Sequence, residues 1–531
     1  MASLRPRQIS TNGFHQIRTF RWAVAASGEY TEFHGGTAAS AMAAITTLSA
    51  RVNQIYEEEL GIRLVLVTNN SLVVYTNKDT DPFTSLQQDS VTIREAQETF
   101  DLMIGNQNYD LGILLNTGTY GLTPASSVCN SSIKGKACMG LPQPVGEIFY
   151  TYVAHEIAHQ FGAAHTFNAR NGICSSNRYA PSAMEPGTGS TMMSYAGLEC
   201  GPGSLAPFMD PYFHAQSIFD IETFIADTTL CGKIITTSNH PPTVAVGTNY
   251  FIPKLTPFQL TATGSDLDGD ALTYCWEEMD VGPAQTFADP DNGASPLFRS
   301  FPPGTNSLRI FPTLNSILQN TNSLGEKLPS LSRVMKFRVT VRDAQMMGAK
   351  NFADTQVQVV SSAGPFRLTS HNVANTFGGQ QIIQWDVAGT AAAPINVQQV
   401  NLLLSTNGGQ NFPIVLASNT ANDGAESVIF PNVNRAKARL KIEAMANIFF
   451  DINDAEIAVE SAPYFTRIQR SGGEILLRWT HNPAKNSQLQ TTADLRNPTW
   501  QNLEIPLIPN GDEMEATVPI EGGAIFRVRE F

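Results

Sequence analysis

The spacing of apolar positions divides the chain into an amino-terminal part with alternating strands and helices and a longer part made of short strands. Ala43, Leu48, Val52 and Tyr56 share one helical face and predict a helix over residues 38–59. Strands are predicted at 20–26, 62–68 and 109–116, and further helices at 148–162 and 212–226. The amino-terminal part is therefore expected to be an α/β domain.

From Thr243 onward, short alternating segments are separated by clusters of Gly, Pro, Asn and Asp, which is typical of β-sandwiches. Changes in composition at 237–242, 359–365 and 459–463 indicate domain boundaries. The expected domains are 1–238, 239–362, 363–460 and 461–531, the first α/β and the others all-β.

The charge balance excludes several classes of partner. The 531 residues carry 34 Lys and Arg against 47 Asp and Glu, a net charge of −13. This is the wrong sign for binding nucleic-acid phosphates, and no apolar run is long enough to span a membrane. Residues Met1–Arg5 do not resemble a signal peptide, so we expect that targeting sequences were removed ahead of this start. The sequence leaves the oligomeric state open.

The predicted helix at 148–162 carries the chemistry. His155 and His159 are four residues apart and share one helical face, with Glu156 beside them. Gly162 lets the chain leave the helix, and the turn brings His165 close as a third candidate ligand. Three protein ligands with an open fourth position define a catalytic zinc site. The competing interpretation is a surface helix with solvated histidines, and five fixed positions favour the zinc site.

A methionine turn follows in the segment Gly189–Gly197, which contains Met192, Met193 and Tyr195. HExxHxxGxxH followed by such a turn resembles the metzincin zinc peptidases. The resemblance implies a mixed twisted sheet with long helices. It also implies that Met193, rather than Met192, forms an apolar floor under the histidines, and that Tyr195 stabilises the transition-state oxyanion. The competing interpretation of the methionines is ordinary core packing.

Within the metzincins, residues 21–30, 52–56 and 61–66 resemble the start of reprolysin (adamalysin-type) catalytic domains. With segments 266–274 and 444–453, the chain is similar to secreted bacterial reprolysin-like peptidases that carry β-sandwich modules. The last segment resembles a fibronectin-III-like unit. One departure is Thr166, which stands where reprolysins place Asp.

The resemblance implies a secreted zinc endopeptidase in which Glu156 activates a zinc-bound water against a peptide carbonyl. An extended protein or peptide substrate is expected to lie antiparallel to an edge strand, for which residues 111–116 are the candidate. An ordinary interior strand is the competing interpretation of that segment. The alternative function is an extracellular adhesion protein whose β-modules do the work and whose zinc site is vestigial.

Five of the six cysteines fall in the expected catalytic domain, and none shows CxxC metal spacing. Cys174 and Cys200 bracket the methionine turn and are candidates for one bridge. The reprolysin resemblance suggests Cys129 with Cys231, and a short Cys129–Cys138 loop is equally compatible with the sequence. Cys275 has no assigned partner. The clustering favours an oxidising compartment over free thiols in a cytosolic enzyme.

A second candidate metal site lies in the expected first sandwich. Asp266, Asp268 and Asp270 surround a glycine turn, and oxygen-rich loops of this kind suit Ca²⁺. Asp343, on a strand nearby, is a further candidate ligand. A solvated Asp-Gly turn is the alternative.

Overall fold

The computed structural model describes residues 15–198, 200–201, 204–226, 231–345, 348–431, 433–460, 463–481, 485–496, 498–511, 513–519 and 524–530. The chain start at 1–14 therefore lies outside the described residues, as do parts of the expected boundary at 459–463. The described chain forms two compact units. Unit 1 comprises the described residues within 1–366, 387–398 and 444–450, and unit 2 comprises those within 367–386, 399–443 and 451–531.

The amino-terminal part of unit 1 is built on one mixed sheet. Its strands are β1 (Gln16–Ala26), β2 (Ile62–Leu66), β3 (Leu111–Asn116), β4 (Tyr120–Leu122), β5 (Cys138–Gly140) and β6 (Lys233–Thr236). Their order is β2-β1-β3-β5-β4, with β6 antiparallel to the first residues of β1. The inner pairs are parallel and β4 is antiparallel to β5, which confirms the mixed sheet.

Helices cover both faces of this sheet. The α-helices of this part are α1 (Gly28–Phe33), α2 (Ala38–Leu60), α3 (Ser90–Phe100), α4 (Gly146–Gln160), α5 (Cys174–Asn177) and α6 (Ala215–Ile225). Alternate residues of β1 point to opposite faces, so Phe20 and Trp22 pack in the core with α2 and α4, and Ala23 packs with α3 on the other side. The predicted α/β domain is thus confirmed.

Local signals set the bounds of α2, the longest helix. Thr37 accepts a hydrogen bond from the Ser40 backbone N–H, and the Ser40 side chain bonds back to Thr37, which forms a capping box. Gly61 ends the helix in the left-handed conformation, with φ 61°. The helix predicted over 38–59 is therefore observed with nearly the same ends.

The strand predicted at 109–116 is present as β3, but its expected position at the sheet edge is wrong. β3 lies between β1 and β5, and all six of its residues are buried. A continuous apolar strand has both faces covered, and such strands occupy sheet interiors. The edge strand beside the site helix is β4.

Seven strands and a short helix follow in unit 1, over residues 243–360, which we call the first β-module. They are β7 (Thr243–Val246), β8 (Tyr250–Pro253), β9 (Phe258–Ser265), β10 (Leu272–Glu278), β11 (Leu308–Phe311), α7 (Leu314–Gln319), β12 (Arg333–Asp343) and β13 (Lys350–Val360). They form the sheets β10-β12-β13-β8 and β11-β9-β7.

The described elements after residue 360 are all strands. They are β14 (Arg367–Leu368), β15 (Thr376–Phe377), β16 (Gln380–Asp386), β17 (Gln399–Ser405), β18 (Ile414–Ala421), β19 (Ala425–Ile429), β20 (Arg435–Ala444), β21 (Phe450–Ile452), β22 (Ile457–Val459), β23 (Phe465–Ser471), β24 (Glu474–Thr480), β25 (Ser487–Thr492), β26 (Gln501–Asn502), β27 (Ile508–Asn510), β28 (Glu513–Pro519) and β29 (Ile525–Glu530). The multidomain α/β-then-β fold class is confirmed, and the three domain boundaries stay predictions.

Two disulfide bonds join Cys129 to Cys231 and Cys174 to Cys200. The alternative Cys129–Cys138 pairing is wrong, because Cys138 is a free buried thiol, as is Cys275. Across the described residues, no helix is both long and apolar enough to cross a membrane.

Candidate metal centre

Helix α4 presents the two motif histidines on one face, and packing fixes the helix itself. The Tyr56 hydroxyl of α2 donates a 2.7 Å hydrogen bond to the Ala154 carbonyl, next to the first histidine. The rings of His155 and His159 are one turn apart, with centroids separated by 4.7 Å. At the end of the helix Gly162 has φ 91°, which other residues adopt only with strain, and the chain turns back toward the same face.

That turn places His165 against the two helical histidines. His165 Nε2 lies 3.3 Å from His155 Nε2 and 3.1 Å from His159 Nε2. Ligand nitrogens bound tetrahedrally at about 2.0–2.1 Å from zinc are separated by about 3.3 Å. The three nitrogens, which we call the three-histidine cluster, therefore have the spacing of a zinc site.

The opposite nitrogen of each ring is held by a backbone carbonyl. Nδ1 of His155, His159 and His165 lies 2.7, 2.8 and 2.7 Å from the carbonyl oxygens of Met192, Ala163 and Asn177. A carbonyl only accepts, so each Nδ1 carries the proton and each Nε2 keeps a lone pair for a metal.

Burial keeps these rings neutral. Desolvation and the neighbouring imidazoles lower the pKa of His155 well below its usual value. Burial lowers the pKa of His159 to about 4, and burial together with His159 lowers the pKa of His165 to about 3. Neutral imidazole is the form that binds zinc.

Glu156 lines the same cleft as the three histidines. Its side chain is buried, and its Oε2 has no hydrogen-bond partner. Burial raises the pKa of Glu156 to about 7, a value suited to a general base. Gly121 of β4 makes room for it, because a Cβ at that position would lie 2.3 Å from the Glu156 carboxyl carbon.

The methionine turn is tied to the third histidine by a buried carboxylate. Glu185 Oε1 accepts from the backbone N–H groups of Ser190 and Thr191, and Oε2 accepts from the hydroxyls of Thr166 and Thr191 at 2.5 Å each. The Thr166 N–H donates to the Met193 carbonyl at 3.0 Å. Glu185 thus supplies a carboxylate beside Thr166, where the reprolysin pattern has Asp.

Both methionines of the turn are fully buried in the main core of the amino-terminal part. Met192 contributes its carbonyl to His155, and the role of Met193 as the floor of the cluster stays a prediction. Tyr195 lies beside the cluster in an edge-to-face contact, with its ring centroid 4.6 Å from that of His165. Burial raises the pKa of Tyr195, so its hydroxyl stays protonated at neutral pH.

A cleft of about 860 Å³ opens over the cluster and Glu156. Tyr120 from the edge strand, Tyr152 from α4 and Tyr195 line it, together with Arg178 and Asp220. Along the same wall β4 ends the sheet, and among the described residues its strand partner is β5.

The acidic loop of the first β-module differs from its predicted arrangement. Asp266, Asp270 and Asp343 bring carboxylate oxygens within 4.8 Å of one another. Asp268 is not part of this group, because its carboxylate accepts a 2.7 Å hydrogen bond from the His240 backbone N–H and lies 2.9 Å from the His240 ring. The strand residue Asp343 takes its place.

The fold and the cluster together define a metzincin-type metallopeptidase domain. Residues 16–222 match the family model described as "Metallo-peptidase family M12B Reprolysin-like". The amino-terminal part is therefore a reprolysin-like metalloprotease domain, a family that implies zinc and protein substrates.

The other comparisons add little. The chain has no significant match among curated proteins. The N-terminal Ig1-2 module of the Drosophila receptor protein tyrosine phosphatase DLAR is 10% identical, with coverage of 42% of this chain and 100% of that chain and a TM-score of 0.22. Mouse cadherin-23 EC22-24 is 12% identical, with coverage of 54% and 90% and a TM-score of 0.15. Scores this low carry no argument.

Sequence reasoning did not find the edge strand β4, the three orienting carbonyls or Glu185. β4 has only three residues and no readable period. The carbonyls of Met192 and Asn177 come from outside the motif, and no side-chain pattern identifies them. The sequence did contain an indication of Glu185. Thr166 stands where reprolysins have Asp, so another carboxylate was to be expected near that position.

Proposed function

We propose that this protein is a zinc endopeptidase that hydrolyses internal peptide bonds of extended protein substrates. One observation carries the proposal: three histidine nitrogens with zinc spacing stand beside an unpartnered carboxylate oxygen in an open cleft. In this assignment His155, His159 and His165 are the zinc ligands and Glu156 is the general base.

Zinc, when bound there, supplies a Lewis acid for the substrate carbonyl and lowers the pKa of water to about 7. The protein's own residues do the rest. Glu156 accepts the proton of the attacking water at its carboxylate and later donates it to the leaving amine nitrogen. The backbone carbonyls on Nδ1 fix the rings, so the ligand set does not reorganise during the reaction.

The substrate backbone is proposed to pair with the free edge of β4 by strand addition. An antiparallel substrate would place the residues after the scissile bond near Tyr120, where β4 begins, and those before the bond near Thr123. Tyr195 is assigned to the oxyanion, and Met193 to the floor beneath the histidines. Both of these roles stay predictions.

Export from the cell and the likeness to secreted bacterial peptidases also remain proposals. Two disulfide bonds support export, because they form in oxidising compartments. Calcium at Asp266, Asp270 and Asp343 remains a prediction. The adhesion protein with a vestigial zinc site is the second candidate, and the retained Glu156 counts against it.

The test is replacement of the general base. We expect Glu156→Gln to keep its zinc and to lose cleavage of an unfolded protein substrate by about 10²-fold or more, because proton transfer is lost while the ligands remain. Zinc content and turnover are measured on the same preparation.

Glu147→Gln is the matched control, since Glu147 lies in the first turn of the same helix with its side chain exposed against Arg51. Its turnover should equal that of wild type. Full activity of Glu156→Gln would show that Glu156 is not the general base. Wild-type protein that binds zinc but has no turnover would favour the adhesion protein.

A further inference from the structure

The segment from Tyr212 to Ala215 leads into α6, and side chains of the first β-module form hydrogen bonds with it. The Ala215 N–H donates to Glu277 Oε2 at 2.9 Å. The Tyr212 hydroxyl donates to Ser300 Oγ at 2.9 Å, and Ser300 Oγ donates to Glu277 Oε1 at 2.6 Å. One carboxylate of β10 therefore organises three hydrogen bonds at this segment.

A second set of hydrogen bonds holds Phe213, the residue after Tyr212. The Phe213 N–H donates to Glu59 Oε2 of α2 at 3.1 Å. Arg342 of β12 holds the same carboxylate, with Nη2 2.8 Å from Oε2 and Nε 2.8 Å from Oε1. The segment is thus held by Glu277 and by the Glu59–Arg342 pair.

Two hydrogen bonds connect this segment to the three-histidine cluster. The Met192 N–H donates to the Tyr212 carbonyl at 2.9 Å, and the Met192 carbonyl accepts from His155 Nδ1 at 2.7 Å. A displacement of Tyr212 would therefore move the carbonyl that orients His155. Partners of this kind, which orient metal-binding histidines, typically change metal affinity 10–100-fold when lost.

All of these groups are out of water. Glu277 is fully buried, and Tyr212, Ser300, Arg342 and Glu59 are at most 6% exposed. A buried polar group that loses its partner pays its desolvation cost, so the local structure must shift to satisfy it.

We propose that Glu277 and Arg342 are positioning residues for the metal centre, so that the first β-module completes the catalytic unit by holding Tyr212 and, through Met192, His155. The inference rests on the proposed function for its consequence in catalysis. The quantity that tests it directly is the affinity of the three-histidine cluster for zinc.

Glu278 provides a matched control on the same strand. It is also fully buried, but it points into the first β-module itself, where Oε2 accepts from the backbone N–H groups of Leu297 and Phe298 and Oε1 lies 3.4 Å from Arg333. Glu277→Gln and Glu278→Gln therefore make the same chemical change at adjacent buried positions, and of the two only Glu277 faces the segment from Tyr212 to Ala215.

The experiment measures the zinc Kd of the full chain by competition with a chelator, together with Tm, kcat and KM. We expect Glu277→Gln to raise the zinc Kd about tenfold or more and to lower kcat more than KM changes, whereas Glu278→Gln keeps the zinc Kd within about twofold of wild type. Tyr212→Phe removes only the hydroxyl and serves if Glu277→Gln does not fold. It should raise the Kd in the same direction.

Equal Kd values in wild type, Glu277→Gln and Tyr212→Phe would overturn the inference, as would equal increases in Glu277→Gln and Glu278→Gln. Wild type that binds zinc and cleaves nothing would refute the proposed function alone, because the Kd comparison still decides the positioning role. Wild type that binds no zinc would overturn both.

Discussion

At the scale of single residues, the sequence motif identified the groups that meet at the cluster but not the groups that hold them. Helical spacing and a glycine turn are local properties, so they bring His155, His159 and His165 together on any sequence that keeps the pattern. The orienting carbonyls depend on the tertiary path of the chain. The carbonyl that holds His155 comes from a residue 37 positions away.

Glu185 is one of the groups that hold the cluster and that the motif does not identify, and its role can be tested by mutation. Its carboxylate accepts four hydrogen bonds from the methionine turn and Thr166, and it is 1% exposed. In Glu185→Gln an amide NH₂ would face donors that need an acceptor. We expect the methionine turn to shift and the zinc Kd to rise about tenfold or more.

Glu95 offers the matched control for that measurement. It is also buried, and it accepts from the backbone N–H and the hydroxyl of Thr84 at 2.8 and 2.6 Å. Glu95→Gln should lower Tm yet keep the zinc Kd within about twofold of wild type. The same Kd in both variants would show that Glu185 has no role in positioning the site.

At the scale of elements, prediction succeeded best for a long helix with a regular apolar period. That period predicted a helix over 38–59, and the observed ends, which are set by the Thr37 cap and by Gly61, lie within a residue or two of it. One predicted strand, at residues 111–116, exists but does not lie at the expected edge of the sheet. The segment 111–116 has no polar alternation, a pattern that indicates an interior strand, whereas the short strand at 120–122 carries too few residues to show a pattern.

The position of β4 leads to a steric prediction. A Cβ at position 121 would meet the Glu156 carboxyl carbon at 2.3 Å and Oε1 at 2.4 Å, so Gly121→Ala must displace the proposed base. A displacement of about 1 Å at a reacting group costs on the order of 10² in rate. We expect kcat to fall by about that factor, with zinc content unchanged.

Gly304→Ala is the control for Gly121→Ala, because a Cβ at 304 would meet no atom within 4 Å. It should leave kcat unchanged. Activity of Gly121→Ala within about twofold of wild type would mean that Glu156 does not need its observed position beside β4.

At the scale of the whole molecule, the order of fold classes along the chain was predictable, because a change from helical to alternating apolar spacing is a regional property. The compact units were not. Residues 387–398 and 444–450 belong to unit 1, although the chain between and around them belongs to unit 2. Amino-acid composition indicates a boundary only where it changes along the chain. It cannot show that a later segment packs with an earlier unit, because that depends on tertiary contacts.

Zinc removal tests whether the cluster contributes to the stability of unit 1. The three nitrogens come from residues that converge only in the folded state, so zinc binds the folded form preferentially. Such a ligand adds about 2.7 kcal/mol at a free concentration 100-fold above its Kd, by mass action. We therefore expect a chelator to lower the Tm of unit 1 by several degrees, and hydrogen exchange to rise in α4. His165→Ala is the control, since loss of a ligand should leave its Tm almost insensitive to the chelator. A wild-type Tm that stays constant while bound zinc is removed would show that the folded cluster exists without the metal and gains nothing from it.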